Sequence, residues 1–371
     1  MRLLGDRRHA TYNLSMLLEG LFTPATTPFY PDGRIYLKKL EQNIEHYSRT
    51  PISGLVLLGS TGEAVMLSDE ESREVLRVAR QAAAVEKVLV AGVARESLTE
   101  TLRLAEFAAE QAYDAVLVRT PHYYAPQYVG SNARALGILT YYRALADRSP
   151  LPVVLYSIPK FTHYDLPVEV ISELAQHPNI VGIKDSSGNV KRIAEIVAAT
   201  RKAPRREILV TPVFAAVTTR MLAEEIAPPV NFVSTDALTG GTAVAMPPLP
   251  RVQTMRKKEV GFQVLGGSSE YLLPSLEAGA SGAILALAAC APQGCQEIYT
   301  AWKENDPALA ALKQERVVEA SRYVASELGV PGIKHACDLN GYYGGRPRIP
   351  LLPLNAVQQE QVARVMEDLR N

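Results

Sequence analysis

Cysteine is scarce in this chain, with three residues among 371: Cys290, Cys295 and Cys337. So few thiols cannot form the disulfide framework of a small secreted domain, and their placement indicates a reducing compartment. No group of cysteine and histidine residues has the spacing of zinc ligands. The sequence therefore predicts no disulfide framework and no metal site, and we expect a cytoplasmic protein.

Long apolar runs and an excess of charge are also lacking. No stretch reaches the ~20 apolar residues that a membrane-spanning helix needs. The 39 basic residues are balanced by 39 acidic ones, so no global basic field exists to attract nucleic acid or a membrane surface. Hydrophobic residues make up 47% of the chain, which is enough for a large core. We expect a small-molecule ligand, with neither nucleic acid nor membrane as a partner.

The first sixteen residues are distinct because they carry Arg2, Arg7 and Arg8 without the apolar segment of a secretory signal. One interpretation is a transit peptide, which would place the protein in mitochondria. The other, which we favour, is a frayed tail over residues 1–16, with Met16 as an alternative start.

Short runs rich in Val, Leu and Ile recur along the chain and do not alternate with polar residues. That pattern is typical of parallel strands buried on both faces. Amphipathic stretches separate the runs, and one opens with the capping signature Ser68-Asp69-Glu70-Glu71. The eight runs lie at 17–22, 54–59, 88–93, 115–118, 152–158, 180–183, 262–265 and 283–287.

Repeated strand–helix units predict an α/β fold, and eight of them favour a closed (β/α)8 TIM barrel over an open sheet. No Gly-x-Gly-x-x-Gly follows the first run, which argues against dinucleotide binding. We assign the barrel to residues 17–303. Residues 304–371 contain no strand pattern, and helices over 309–328, 331–339 and 354–369 predict a C-terminal helical extension.

One segment, at about 206–260, interrupts the barrel. It places about fifty residues where an αβ loop needs roughly two to six. It is rich in proline and ends in the basic run Arg256-Lys257-Lys258. Three interpretations stay open: a disordered surface insertion, a functional flap, or translated non-coding sequence. We hypothesise that it has no packed core of its own.

The chemistry of a TIM barrel lies at the carboxyl ends of its strands. Lys184 follows the buried run 180–183, and a lysine is seldom buried without a reason. Burial disfavours the ammonium and so favours the free amine, which attacks carbonyl groups. The alternative is a lysine that extends to solvent from a strand end.

Two further groups fall at neighbouring strand ends. Tyr156 ends the adjacent strand at a similar height, where a phenol can transfer a proton; it could equally be a core tyrosine. The turn Gly59-Ser60-Thr61-Gly62 offers two hydroxyls and several N–H groups, which suit a carboxylate, although glycines there could serve only the turn.

With these residues assembled, the chain resembles the dihydrodipicolinate synthase / N-acetylneuraminate lyase family. Within it, the chain is most similar to eukaryotic-type 4-hydroxy-2-oxoglutarate aldolases. The stretches that carry the resemblance are Gly59-Ser60-Thr61-Gly62-Glu63, Thr120-Pro121-His122-Tyr123-Tyr124, Leu155-Tyr156-Ser157-Ile158-Pro159, Gly182-Ile183-Lys184-Asp185-Ser186-Ser187-Gly188 and Val330-Pro331-Gly332-Ile333-Lys334.

The resemblance implies a class I aldolase that needs no metal or organic cofactor and binds a 2-oxo acid. Lys184 would form the Schiff base, Tyr156 would be the acid/base, and Ser60 would relay its proton to Tyr123 of a neighbouring subunit in a homotetramer, a dimer of dimers. The implied substrate-binding residues are Gly59, Ser60, Thr61, Ser186 and Gly267.

One residue of this chain departs from the family pattern at a position that contacts the substrate in dihydrodipicolinate synthases. Dihydrodipicolinate synthases usually carry an arginine where this chain has Phe161, and a phenylalanine cannot bind a carboxylate. We therefore expect cleavage of 4-hydroxy-2-oxoglutarate to pyruvate and glyoxylate, with Lys160, His163 or Arg119 as partner of the distal carboxylate. For Arg119 we favour a salt bridge to an outer helix. The alternatives are a 2-keto-3-deoxy sugar acid as the substrate, dihydrodipicolinate synthesis, and a non-catalytic scaffold that binds 2-oxo acids.

Overall fold

The computed structural model describes residues 17–125, 132–210 and 256–370. Within them, eight parallel strands close into a barrel, which confirms the predicted TIM barrel. Each of the eight apolar runs overlaps one strand. The barrel strands are Gly20–Pro24 (β1), Gly54–Leu57 (β2), Val88–Gly92 (β3), Ala115–Arg119 (β4), Val153–Ser157 (β5), Ile180–Asp185 (β6), Gln263–Gly266 (β9) and Gly282–Ile284 (β10). Around the barrel they follow the order β1-β10-β9-β6-β5-β4-β3-β2.

The strands are apolar throughout because both of their faces are buried. Side chains such as Phe22, Val90 and Leu265 fill the barrel interior, and Tyr156 belongs to the same cluster. The outer faces pack against helices in a second, larger core. The helices that follow the strands are Leu37–Ser48 (α1), Asp69–Ala82 (α2), Leu98–Glu110 (α3), Asn132–Arg148 (α4), Pro159–Thr162 (α5), Val168–Leu174 (α6), Val190–Thr200 (α7), Leu272–Glu277 (α8) and Pro292–Lys303 (α9).

The predicted C-terminal extension is helical, as expected. It contains Pro307–Ala320 (α10), Val330–Leu339 (α11) and Ala356–Val365 (α12), and a π-helical turn, Ser321–Glu327, continues α10. Gly329, with a φ of 65°, separates this turn from α11. The first residues of α11 therefore return to the carboxyl end of the barrel, where they line the cavities described below. The boundaries of tail, barrel and extension stay a prediction.

The ends of the long insertion form an antiparallel ribbon of Arg206–Val210 (β7) and Arg256–Val260 (β8). Ile208 and Val260 pack against Leu17. The guanidinium of Arg206 donates to Oε1 of Gln263 at 3.0 Å, and burial lowers the pKa of Arg206 to about 10. The ribbon is thus attached to the base of β9. Residues 211–255, on which the three interpretations of the insertion depend, lie outside the described residues.

The three cysteines are free thiols, and all three are buried. Burial raises the pKa of Cys295 and of Cys337 to about 12. Among the described helices, none is both long and apolar enough to cross a membrane.

The predicted capping signature is present at the start of α2. Oγ of Ser68 accepts the N–H of Glu71, whose carboxylate in turn accepts the N–H of Ser68. Ser68→Ala should lower the free energy of unfolding by about 1 kcal/mol, because the N–H of Glu71 loses its acceptor. Urea unfolding measures the change, and Ser97→Ala, which removes the equivalent bond at the start of α3, should lower it by a similar amount. A Ser68→Ala protein as stable as the parent would contradict this assignment.

Candidate active site

Lys184 and Tyr156 occupy paired positions on adjacent parallel strands. The register of β5 against β6 sets Tyr156 opposite Lys184. The Nζ atom of Lys184 donates to the hydroxyl of Tyr156 at 3.2 Å and lies 4.3 Å from the centre of its ring. Only 7% of Lys184 and 5% of Tyr156 are exposed. The lysine therefore does not extend to bulk solvent, and its amine lies beside a phenol that can exchange protons with it.

Ser60 approaches this pair from the end of β2. Its Oγ lies 3.5 Å from the hydroxyl of Tyr156. It belongs to the turn Gly59–Glu63, which is closed by bonds from Gly62 N–H to Gly59 O at 3.0 Å and from Glu63 N–H to Ser60 O at 3.1 Å. Glu63 has a φ of 55°, in the left-handed region, so the turn reverses sharply. The structure thus brings three of the four predicted catalytic residues together: Lys184, Tyr156 and Ser60.

The loop after Lys184 is fixed by a buried carboxylate. Asp185, whose side chain is fully buried, accepts the N–H and hydroxyl of Ser187 and pairs with Arg192 at 2.8 Å. The next residue, Ser186, faces Gly267 at the end of β9, where a Cβ would lie 2.0 Å from the Oγ of Ser186. Glycine is therefore required at position 267 for the two loops to meet.

Two adjacent cavities open at the carboxyl ends of the strands, with volumes of about 330 and 420 Å³. Tyr156 and Ser60 line both cavities. The smaller one contains Lys184 together with Thr61, Ser186 and Gly267, so with Ser60 it holds four of the five predicted substrate-binding residues. The fifth, Gly59, lines the larger cavity. The larger one extends from Tyr156 toward Arg119, His122 and Glu63. Phe161, Lys160 and the start of α11 line both.

Tyr123, the fourth predicted catalytic residue, lines neither of these two cavities. It is 74% exposed and packs edge-on against Tyr124. The loop that carries it is held by Glu96, whose Oε2 accepts the N–H groups of His122 at 2.9 Å and Tyr123 at 3.0 Å. The expectation that Tyr123 enters the site of a neighbouring subunit stays a prediction.

Arg119 forms a salt bridge, but its partner is not on an outer helix as we expected. Its Nη1 lies 2.9 Å from Oε1 of Glu96, which belongs to the loop between β3 and α3. Burial alone would raise the pKa of Glu96, but the N–H groups of Tyr123 and His122, together with Arg119, outweigh that effect and lower it. Glu96 therefore links the end of β4 to the Tyr123 loop as an ionised carboxylate.

Three further residues that hold the site were not predicted from the sequence: Glu96, Lys334 and Arg348. Lys334 is fully buried and pairs with Glu63 at 2.6 Å. Arg348 binds both oxygens of Glu71, at 2.6 and 2.8 Å. A lysine inside the apolar stretch 330–339 was the available signal for Lys334. The partners of Glu96 and Arg348 become visible only when distant loops are brought together.

Comparison with known proteins identifies a family model that covers most of the chain. The model described as the dihydrodipicolinate synthetase family matches residues 17–204 and 245–369. The gap between the two matched parts falls within the long insertion. Two relatives named 4-hydroxy-tetrahydrodipicolinate synthase align over 353 residues, which is 95% of this chain and 99% of each relative. The one from Methanococcoides burtonii is 27% identical, and the one from Acidiphilium cryptum is 28% identical.

Solved structures share the fold at lower identity. A dihydrodipicolinate synthase from Bacillus anthracis superposes with a TM-score of 0.75 at 21% identity, and the alignment covers 96% of this chain and all of that one. A prophage protein of the same family from Escherichia coli, solved in complex with pyruvate, gives 0.73 at 23% identity over 95% of this chain and 99% of its own. These likenesses support the barrel architecture.

Glu96→Ala should release the loop that carries Tyr123. The substitution removes the acceptor of two backbone N–H groups, and hydrogen bonds to a charged group contribute about 1.5–3 kcal/mol each. We expect the amides of His122 and Tyr123 to exchange with deuterium about tenfold faster or more. The control is Glu100→Ala, since the side chain of Glu100 lies at the surface and, within the part of the chain that the structure describes, pairs with Arg103. Unchanged exchange in Glu96→Ala would show that other contacts hold the loop.

Proposed function

Because this chain belongs to the dihydrodipicolinate synthetase family, we propose that it cleaves a 4-hydroxy-2-oxo acid to pyruvate and an aldehyde, through a Schiff base on Lys184. Family membership makes it a carbon–carbon lyase of the class I, Schiff-base type. The observation that carries the proposal is the buried contact between Lys184 and Tyr156, at 3.2 Å inside a cavity open to small molecules.

Lys184 supplies the nucleophile. Its amine attacks C2 of the substrate, and loss of water leaves an iminium in which nitrogen is bound to C2. The iminium accepts the electron pair of the C3–C4 bond when that bond breaks, giving an enamine of pyruvate. Protonation of C3 and hydrolysis then release pyruvate and restore the amine. The water lost in the first step is returned in the last, so the cycle balances.

Tyr156 moves the protons of this cycle. Its hydroxyl lies within hydrogen-bond reach of Lys184 and 3.5 Å from Ser60. It takes the proton of the C4 hydroxyl as the C3–C4 bond breaks, which leaves the aldehyde. Ser60 connects Tyr156 to the outside of the site, and we include Tyr123 of a neighbouring subunit in that relay. This role requires at least a dimer, and we propose the homotetramer, a dimer of dimers, that the family resemblance implies.

The 2-oxo carboxylate fits the turn Gly59–Glu63 and the facing loop. Ser60 and Thr61 line the cavity that contains Lys184, and Ser186 with Gly267 forms its opposite wall. Hydroxyl and N–H donors in a closed turn bind a carboxylate without a paired cation. In the pyruvate complex of the Escherichia coli relative, the bound compound carries this same 2-oxo acid group.

In this proposal the distal end of the substrate contacts Lys160 and Phe161. Phe161 is 54% exposed and lines both cavities, in the position where an arginine would bind the carboxylate of aspartate semialdehyde. Lys160 donates one proton to the carbonyl of Ser326 at 2.6 Å, which leaves two N–H donors. We propose that Lys160 binds the distal carboxylate of 4-hydroxy-2-oxoglutarate, so the aldehyde product is glyoxylate.

A second candidate is a 2-keto-3-deoxy sugar acid, and one observation favours it. The cavity around Lys184 is rich in serine, and the hydroxyls of Ser186, Ser268 and Ser321 make no hydrogen bond to other described residues. Glu270 lines the same wall, paired with Arg322. Hydroxyl and carboxylate groups of this kind suit the hydroxyls of a sugar tail, and the carboxylate of Glu270 would repel a second carboxylate.

A cleavage panel tests the proposal and separates the two candidates. It compares pyruvate release from 4-hydroxy-2-oxoglutarate and from 2-keto-3-deoxy sugar acids with condensation of pyruvate and aspartate semialdehyde. We expect the first substrate to react fastest, and Lys160→Met to raise its KM about tenfold or more because a charge-assisted contact is lost. The control is Lys191→Met, because Lys191 is an exposed lysine on α7 whose ion-pair partner among the described residues is Glu195.

Faster reaction of the semialdehyde pair would contradict our interpretation of Phe161. Faster cleavage of a sugar acid, with no effect of Lys160→Met, would select the second candidate.

A further inference from the structure

A buried ion pair lies directly behind the turn that faces the 2-oxo acid. Oε1 of Glu63 is 2.6 Å from Nζ of Lys334, and each side chain is 1% exposed. The ammonium also donates to the carbonyls of Thr27 at 2.8 Å and Arg346 at 2.9 Å. Oε2 of Glu63 accepts the backbone N–H of Arg348 at 2.8 Å. Each charge therefore has its counter-ion and at least one backbone partner inside the protein, while Oε1 of Glu63 makes the ion pair without a hydrogen bond.

Stability alone does not explain this pair. Removing two charges from water costs several kcal/mol per ion, and well-packed apolar residues of similar volume often stabilise a protein as well or better. The pair also joins two distant parts of the chain, since Glu63 ends the β2 turn and Lys334 lies on α11 of the C-terminal extension. Such a pair can specify one local geometry.

Lys334 holds the turn in two ways. Directly, it pairs with the side chain of Glu63. Indirectly, it binds the carbonyl of Thr27, whose own Oγ1 donates to the carbonyl of Gly62 at 2.7 Å. Gly62 and Glu63 are the residues whose N–H groups close the turn onto Gly59 and Ser60. Displacing Lys334 would therefore free both sides of the turn at once.

The charge of Glu63 matters for the same site. Glu63 lines the larger cavity, which shares Ser60 and Tyr156 with the cavity of Lys184. An unpaired carboxylate there would repel an anionic 2-oxo acid. Lys334 offsets that charge from behind the turn and does not line the cavity that contains Lys184.

We propose that Glu63 and Lys334 are positioning residues, through which the C-terminal extension shapes the carboxylate-binding turn and neutralises its acidic neighbour. This inference rests on the proposed function, because the bound group is a 2-oxo acid. Neither residue touches the reacting atoms. Their effect should therefore fall on the concentration of 2-oxo acid needed to occupy Lys184.

The test measures the pyruvate concentration at which sodium borohydride traps half of the full-length protein, read by intact mass. For Lys334→Met we expect this concentration to rise about tenfold or more, which corresponds to about 1.4 kcal/mol of binding free energy. The double variant Glu63→Gln/Lys334→Met leaves no unpaired buried carboxylate, so its melting temperature should exceed that of Lys334→Met. Its half-trapping concentration should nevertheless stay raised, because the contacts from residue 334 on α11 to the turn are still missing.

Lys87→Met is the matched control. Lys87 is a buried lysine that lies just before β3, at the opposite end of the barrel. Its Nζ donates to the carbonyls of Thr50 and Ile52, which precede β2, both at 2.8 Å. We expect a lower melting temperature and an unchanged half-trapping concentration. That control separates loss of stability from loss of positioning.

Recovery of the parent half-trapping concentration in the double variant would overturn the proposal, and so would a Lys334→Met value equal to that of Lys87→Met. If Lys334→Met does not fold, the half-trapping concentration of the double variant by itself tests the proposal. A parent protein that pyruvate and borohydride never label would instead refute the proposed function, and this inference with it.

Discussion

The contact between Lys184 and Tyr156 is the constraint on which the site depends. Paired positions on β5 and β6 hold the amine and the phenol 3.2 Å apart. The barrel positions them because the register of parallel strands fixes the height of each side chain, and the closed wall excludes bulk water from both. Ser60, Ser186 and Ser187 line the cavity in which a 2-oxo acid can reach the amine. Formation of the Schiff base needs this arrangement of amine and phenol and a cavity through which the substrate can reach them.

Most of the fold could be predicted from the sequence because its signals are local. Strands buried on both faces require continuous apolar runs, and Ser68 with Glu71 identifies a helix start within four residues. The ribbon of β7 and β8 was not predicted. Its second strand, Arg256–Val260, is charged along most of its length, and a charged edge strand carries no apolar signal. The π-helical turn Ser321–Glu327 likewise looks like ordinary helix in sequence.

The centre of the site was predictable for a related reason, since a polar residue that ends a buried strand stands out. Lys184, Tyr156 and Ser60 all have that position. The residues behind them do not. Glu96 acts on a loop that follows a different strand, and Lys334 reaches Glu63 from the far end of the chain. Such contacts arise when the chain folds, and no spacing in the sequence indicates them. The same applies to Arg119, whose partner we expected on a helix and found in a loop.

The most direct test of the account is to locate the covalent adduct. The parent protein is incubated with pyruvate and sodium borohydride, digested, and its modified peptide sequenced by mass spectrometry, with Lys184→Met treated in parallel. We expect one reduced adduct, on Lys184, and none in the variant. An adduct on another lysine, or equal labelling of the variant, would contradict the claim that this buried amine is the one that forms the Schiff base.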